Sequence, residues 1–246
     1  GLKGAIKEFC THNNKQDTTI ISDGDIKKVF GSVKPKKDEA ADVAKKATST
    51  GEYKFLDAHL LYLPVRSDKR AFVHITCPLV LQQIINQINL FEPGSLSTDL
   101  NAFANLITDI DSHSEAYCFN GGLNEAILED FEFKAAKHPA YVFHETLKKL
   151  FNDNIVITSN YIFQTLTNDL HLPVIARNHL ENGESENLWY EQVIPRTSRF
   201  WFTMLKPSGE FIQAFDDLLI GENSVIQIGA NATVGYGYTK INSLNF

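Results

Sequence analysis

Residues able to do chemistry gather at a few places along the chain. Lys3 and Lys7 stand four apart within a helical apolar pattern (Leu2, Ile6, Phe9, Cys10), so they share a helix face. Like charges at that spacing repel unless an anion lies between them; a solvated face is the alternative. His12 follows and could serve as general base in metal-independent phosphodiester cleavage, or be a surface histidine. Arg66, Lys69 and Arg70 crowd a short connector, where they could hold phosphate or decorate an exposed turn. Asp109, Asp111, His113 and Glu115 alternate, which puts them on one side of a strand as ligands for a divalent ion, although polar linker surrounds them. Trp189 and Tyr190 suit either stacking on bases or core packing. Gly229, Gly235 and Gly237 surround a short polar loop. Glycine lacks a Cβ and accepts positive φ, so backbone there can approach a ligand closely; a glycine-rich β-hairpin is the plain alternative.

Other chemistries find no support. The glycines lack the Lys-Ser/Thr of a P-loop, and they join strand to strand rather than opening a helix as in a dinucleotide fold. No His-x-x-x-His pairing supports catalytic zinc, and no Gly-x-Ser-x-Gly marks a serine nucleophile. Cys10, Cys77 and Cys118 are odd in number and far apart, which predicts buried free thiols of a cytoplasmic protein.

The elements that must position these residues follow from periodicity. A helix begins at Leu2, and Ser22 or Asp23 caps a second that ends near Phe30. Residues 33–51 carry no hydrophobic face and read as a mobile, Lys-rich insertion. Strand-like runs cover 55–64 and 71–76, and Pro78 starts a helix burying Leu81, Ile84, Ile85 and Ile88. Residues 92–122 read as an irregular insertion, 126–133 as a strand and 139–151 as a helix. Ser159 caps a helix over 160–170. Runs 172–177 and 187–194 flank a polar tip, so 172–194 forms a protruding hairpin arm. A strand over 199–205 and a helix over 208–220, closed by Gly221, complete an α+β pattern. Asp216 and Asp217 are adjacent on that helix and point apart, which excludes an acid/base pair.

With 246 residues and 43% apolar content, the chain can bury one large core or two modest ones. No apolar stretch is long enough for a membrane span, and no secretory leader is visible. The chain starts at Gly1 inside a helical pattern, which suggests a piece upstream. Net charge is −7, yet residues 1–76 hold 14 Lys/Arg against 10 Asp/Glu, and the remainder is strongly acidic. Screening confines each charge to about 8–10 Å at physiological salt, so an acidic body still permits a positive groove.

Several stretches jointly resemble one family. LKGAIK (2–7), LLYLPVRS (60–67), HITCPLVL (74–81), LEDFEF (128–133), LPVIARN (172–178), NLWYEQVIP (187–195) and IQIGANATVGYGY (226–238) occur in family order. They are similar to the backbone RAMP subunit of type III-B (Cmr) CRISPR effector complexes. The resemblance covers nearly the whole chain. It implies a single domain over 1–246, an RRM-like, ferredoxin-like RAMP palm with insertions and a protruding thumb hairpin. It also implies the partners: CRISPR RNA, target single-stranded RNA, other RAMP subunits and copies of the chain itself in a filament, with no membrane.

Residue by residue, the resemblance implies that Lys3 and Lys7 meet CRISPR-RNA phosphates and that Arg66 and Ser67 line the palm. The arm from Arg177 to Trp189, with Asn178, becomes the thumb, and Gly229, Gly235 and Gly237 the family's glycine-rich loop. Ala230 replaces a usual second glycine, and Tyr236 stands where a basic residue is common, which weakens the expectation of direct phosphate contact by that loop. The acidic tip of the arm should reach toward a neighbouring subunit or wedge between bases rather than grip phosphate. The family's Mg2+- or Mn2+-dependent target cleavage depends on an aspartate in a loop before the Leu-Lys-Gly motif, so no catalytic or metal residue is assigned in this chain and no bound cofactor is expected. A free-standing RAMP endoribonuclease processing precursor RNA, with His12 as base, is the alternative function.

Overall fold

The structure is a computed structural model that describes residues 1–14, 20–32, 49–93, 115–118, 125–136, 150–151, 155–209, 211–222 and 224–244. In chain order the first elements are α1 (Leu2–Asn14), α2 (Asp23–Phe30), β1 (Lys54–Phe55), β2 (His59–Val65), β3 (Val73–Thr76) and α3 (Pro78–Phe91). There follow β4 (Glu115–Cys118), β5 (Glu125–Leu128), β6 (Phe131–Ala136), β7 (Ile155–Ile157) and α4 (Asn160–Leu166). The last part holds β8 (Val174–Glu181), β9 (Glu184–Gln192), β10 (Arg199–Trp201), β11 (Met204–Leu205), α5 (Gln213–Ile220), β12 (Ile226–Gln227) and β13 (Tyr238–Thr239). Most of the insertions expected over 33–51 and 92–122 falls outside the described residues. So does most of the helix expected over 139–151.

Two compact units result. One joins the chain's ends, Gly1–His59 with Phe202–Asn245, and the other is Leu60–Trp201. In the first, α1 presents Ile6 and Cys10 to a core completed by Ile26, Val29 and Phe30 of α2, Phe215, Leu218 and Leu219 of α5, and Ile226 of β12. Burial of each large aliphatic or aromatic side chain stabilises by about 1.5–3 kcal/mol. Phe215 is wholly buried and meets Tyr53 (5.4 Å) and Phe30 (5.8 Å) edge-on. The Ile212 N–H, at the start of α5, donates to the Tyr53 hydroxyl at 2.8 Å, while Ile212 itself offers no side-chain cap. α2 begins where expected, with Ser22 as its cap: the Asp25 N–H donates to Ser22 Oγ at 3.1 Å.

In the second unit, strands are ordered β10-β2-β3-β7-β4-β6-β5. β2 and β3 are antiparallel, with Leu63 opposite Ile75, and β3 and β7 are parallel, with Ile75 opposite Val156. The central strands are buried on both faces, as Val73 to Thr76 and Ile155 to Ile157 show, with the polar His74 and Thr76 sharing one face of β3. Pro78 occupies the first turn of α3, which buries Val80, Leu81, Ile84 and Ile85 but leaves Ile88 only half-buried. The fold is α+β, a mixed sheet with helices.

Several runs end sooner than their hydrophobicity suggests. The run 55–64 divides into β1, paired with β11, and β2 of the large sheet; the Leu56 N–H turns aside to Thr203 O at 3.0 Å. Likewise 199–205 divides into β10 and β11. The run 126–133 is a hairpin, β5–β6, turning at Glu129, whose φ of 51° is left-handed. α5 starts at Gln213 rather than 208, leaving Phe211 exposed beside Lys206. The α5 terminus at Gly221 has φ −58°, so closure there is by close packing rather than a left-handed cap: a Cβ would sit 2.9 Å from Asp217 O. Cys10 and Cys77 are buried free thiols, and burial pushes the Cys10 thiol up to about 12.

Tyr53→Phe keeps the ring packing and removes the acceptor for Ile212. The expected cost is about 1–2 kcal/mol, read as a lower urea midpoint at unchanged slope. An unchanged midpoint would mean the Ile212 amide finds another acceptor.

Candidate nucleic-acid interface

The candidate residues divide between the two units. Lys3, Lys7 and the three glycines belong to the first; Arg66, Ser67, Arg177, Asn178 and Trp189 belong to the second.

α1 sets Lys3 and Lys7 about 40° apart around its axis, because each residue turns about 100°. By the same count His12 lies about 180° from Lys3. The helix therefore does not bring His12 to the lysines, contrary to the expectation of a base beside them. Lys3 Nζ stands over the Phe55 ring at 5.8 Å, and Lys3 is exposed. The same helix packs on β12, which leads into the glycine loop.

In that loop Gly229, Gly235 and Gly237 all have positive φ (100°, 86° and 75°), as does Asn231 (63°). Open space surrounds the position of a Cβ on Gly229 and on Gly235. At Gly237 a Cβ would collide with the Ile228 carbonyl. A one-turn 3-10 helix (Ala232–Val234) follows Asn231, whose carbonyl accepts from the N–H groups of Val234 and Tyr236, both at 3.2 Å. Gln227 reaches under the loop. Its amide nitrogen lies 3.1 Å from Gly229 O, 3.3 Å from Tyr236 O and 3.5 Å from Ala230 O.

The cationic connector is a latch on the β5–β6 hairpin. Arg66 donates to Glu129 Oε2 through Nε (2.8 Å) and Nη2 (2.6 Å), and its backbone N–H donates to Glu129 Oε1 at 2.8 Å. The Glu129 N–H returns a bond to Arg66 O at 3.1 Å. Ser67 bridges Leu128, and its hydroxyl accepts from the Lys69 N–H. Asp68 completes the edge: its N–H donates to Ile127 O and its carboxylate accepts the Ile127 N–H at 2.8 Å. The Arg66 side chain is 86% exposed, so it keeps an open face while anchored. Glu129, which sequence reasoning missed, is what holds it.

β8 and β9 form the arm as an antiparallel ladder from Val174↔Gln192 to Glu181↔Glu184. The ladder runs through the segment expected to be a polar tip, because Asn182-Gly183 makes a two-residue turn with both φ positive (51° and 88°). Arg177 faces Trp189 directly across the ladder. One carboxylate holds both, since Glu191 Oε2 accepts from Arg177 Nε at 2.5 Å and Oε1 from Trp189 Nε1 at 3.0 Å. Asn178 pairs with Leu188 on the opposite face and accepts from Ser185 Oγ. That face also exposes Val174, Leu180 and Tyr190.

Asp109, Asp111 and His113 lie outside the described residues, and the Glu115 side chain does too. Among the described residues no three His, Cys, Asp or Glu side chains converge on a cation site. Nor is any helix among them long and apolar enough to cross a membrane.

No protein-family profile matches the chain. Similarity to individual proteins is extensive. The chain is 27% identical to the CRISPR system Cmr endoribonuclease Cmr4 of Pyrococcus furiosus, over 98% of this chain and 80% of that protein. It is 24% identical to the CRISPR system CMR subunit Cmr4 of Saccharolobus solfataricus, over 99% of this chain and 83% of that protein. A type III-B Cmr-beta structure bound to cognate target RNA matches the fold with a TM-score of 0.70 at 17% identity, covering 96% of this chain and 80% of its own. The crystal structure of oligomeric Cmr4 from Pyrococcus furiosus matches with a TM-score of 0.62 at 21% identity, over 98% and 83% of the two chains. The chain is Cmr4-like over nearly its whole length. Its α+β fold resembles the ferredoxin-like palm of the Cmr4 structures.

The latch of this Cmr4-like chain gives it an acid-sensitive edge. Asp68 sits below the ordinary carboxylate range, chiefly because its carboxylate accepts the Ile127 N–H. Burial pulls Glu129 upward, but its bonds and attraction to Arg66 outweigh that and leave it lowered. Lowered folded-state values mean the unfolded chain binds protons first. The latch therefore contributes fully above the ordinary carboxylate range near pH 4 and is lost as pH falls through the lower folded values. Asp68→Asn with Glu129→Gln should flatten the decline of the thermal midpoint across that acid window. An unchanged profile would assign the acid sensitivity elsewhere.

Proposed function

We propose that this chain is a CRISPR-RNA-binding backbone subunit of a type III-B RNA-targeting interference complex, acting in the cytoplasm. The observation that carries this reading is the collinear similarity over 98% of the chain to a CRISPR endoribonuclease subunit. It is supported by a CMR subunit matched over 99% of the chain. In this reading copies of the chain polymerise along the guide as one RAMP backbone and contact other RAMP subunits. Together they position target RNA for cutting at regular intervals.

The guide's phosphates meet Lys3, Lys7 and the loop of Gly229, Gly235 and Gly237. Arg66 and Ser67, fixed by the β5–β6 hairpin, line the palm. Residues 172–194 act as the thumb. Arg177 and Trp189, gathered on one face by Glu191, meet nucleic acid from one side of it, and Asn178 meets it from the other. Stacking on an aromatic ring contributes about 1–3 kcal/mol per base without demanding a sequence.

Short oligouridylate should bind the chain with steep salt dependence, followed by fluorescence anisotropy. Lys3→Ala with Lys7→Ala should weaken binding and reduce the slope of log K against log salt by about 1.4, the share of two phosphate contacts on a single strand. Equal affinity at low and high salt counts against the whole reading.

The arm has its own test. Replacing residues 180–187 with a Gly-Ser turn removes exposed residues, so folding free energy should change by less than about 1 kcal/mol. In the assembled complex the same change should disturb the regular spacing of cuts on target RNA. Loss of folding, or untouched spacing, overturns the assignment of thumb.

A further inference from the structure

We propose that Gln227 is the positioning residue of the glycine loop, turning its carbonyls inward so that its backbone amides receive an RNA phosphate. This rests on the RNA-binding reading above and deepens it by naming what gives the loop its polarity.

The polar groups of the loop are sorted by direction of bonding. The two N–H groups of the Gln227 amide donate to Gly229 O at 3.1 Å and Tyr236 O at 3.3 Å, with Ala230 O sharing them at 3.5 Å. Asn231 O accepts from Val234 and Tyr236, and Ala232 O from the Gly235 N–H at 3.0 Å. Gly237 O accepts from the Ile228 N–H at 2.9 Å and from Thr239 Oγ1 at 3.0 Å. Every carbonyl from Gly229 to Ala232 is thus occupied. By contrast the N–H groups of Gly229, Ala230, Ala232 and Thr233 meet no acceptor among the described residues, and all four residues are exposed. Backbone that engages its carbonyls and leaves successive N–H groups open presents partial positive charge, the arrangement that favours an anion.

Gln227 is suited to this by chemistry and place. Its nitrogen must be the atom facing the loop, since the amide oxygen there would meet carbonyl oxygens alone. It stands in β12 opposite Tyr238, so the strand pairing fixes the stem of the side chain. Gly237 makes room for it: a Cβ there would lie 3.1 Å from the Gln227 nitrogen as well as striking Ile228 O. At Gly229 and Gly235 nothing stands within 4 Å of a would-be Cβ, so a phosphate can come close to the main chain. The sequence marks the position as a lone amide inside the apolar run Val225-Ile226-Gln227-Ile228.

The experiment compares the full chain with its Gln227→Leu variant, which keeps the bulk and removes the donors. Backbone amide resonances are followed by NMR during titration with inorganic phosphate, then with short oligouridylate. In the unmodified chain, the amides of residues 229, 230, 232 and 233 should shift with both probes. In Gln227→Leu those shifts should vanish while Ile226 and Tyr238, in the ladder, keep their positions. Oligouridylate affinity should fall by roughly tenfold, as expected for loss of a charge-assisted hydrogen bond. A variant that binds as well as the unmodified chain, with the same amides shifting, overturns the role of Gln227 and leaves RNA binding standing. Salt-dependent binding that never perturbs residues 229–233 in the unmodified chain does so too, even if the leucine variant fails to fold. If the unmodified chain does not bind oligouridylate at all, the reading on which this inference rests fails first.

Discussion

The contact between Tyr53 and Phe215 is the one on which the first unit depends. It joins residues 162 positions apart in sequence (215 minus 53), and it does so twice over: ring against ring at 5.4 Å, and hydroxyl to the Ile212 amide at 2.8 Å. α5 lacks a side-chain cap of its own, so the tyrosine supplies the acceptor its first turn needs. Around this pair close α1, α2 and β12, elements from opposite ends of the chain. The lysines of α1 and the loop that follows β12 become neighbours in one unit only because that core closes.

The second unit uses a different device. Its outermost strand, β5, would expose unpaired N–H and C=O groups, a liability of any sheet edge. The connector after β2 covers it: Ser67 bridges Leu128 and Asp68 exchanges bonds with Ile127. Arg66 is therefore fixed by a structural requirement of the edge, through Glu129, while most of its side chain faces solvent. Rigid backbone under an exposed cation is what preorganisation requires, because little conformational entropy is left to lose on binding. The arm also pairs a carboxylate with a cation, but a more enclosed one: Glu191 holds Trp189 and Arg177, whose side chain is 18% exposed.

Much of this was legible in the sequence. Helical spacing placed α1 and its two lysines, Ser22 and Ser159 capped the helices they precede, and Pro78 began α3. Hydrophobic runs located the strands, and the arm formed where two such runs flanked polar residues. One signal was there and went unread: Asn182-Gly183 is a favoured two-residue hairpin turn, which carries the ladder nearly to the tip. Another was the polar pair Glu129-Asp130 inside an apolar run, where the chain reverses.

The sequence by itself determined where α2, α3 and α4 begin and which runs are apolar, because caps and periodicity depend on residues near in the chain. Tertiary structure alone decided that the runs 55–64 and 199–205 each split between two sheets. Hydrophobicity says that a strand is buried but not against which partner. It alone chose Glu129 for Arg66, 63 positions away, Glu191 for Arg177, and the carbonyls that Gln227 gathers. A hydrogen bond is a matter of a few tenths of an ångström and of direction. No local pattern of charges or amides encodes that geometry until the sheets and turns have fixed both partners.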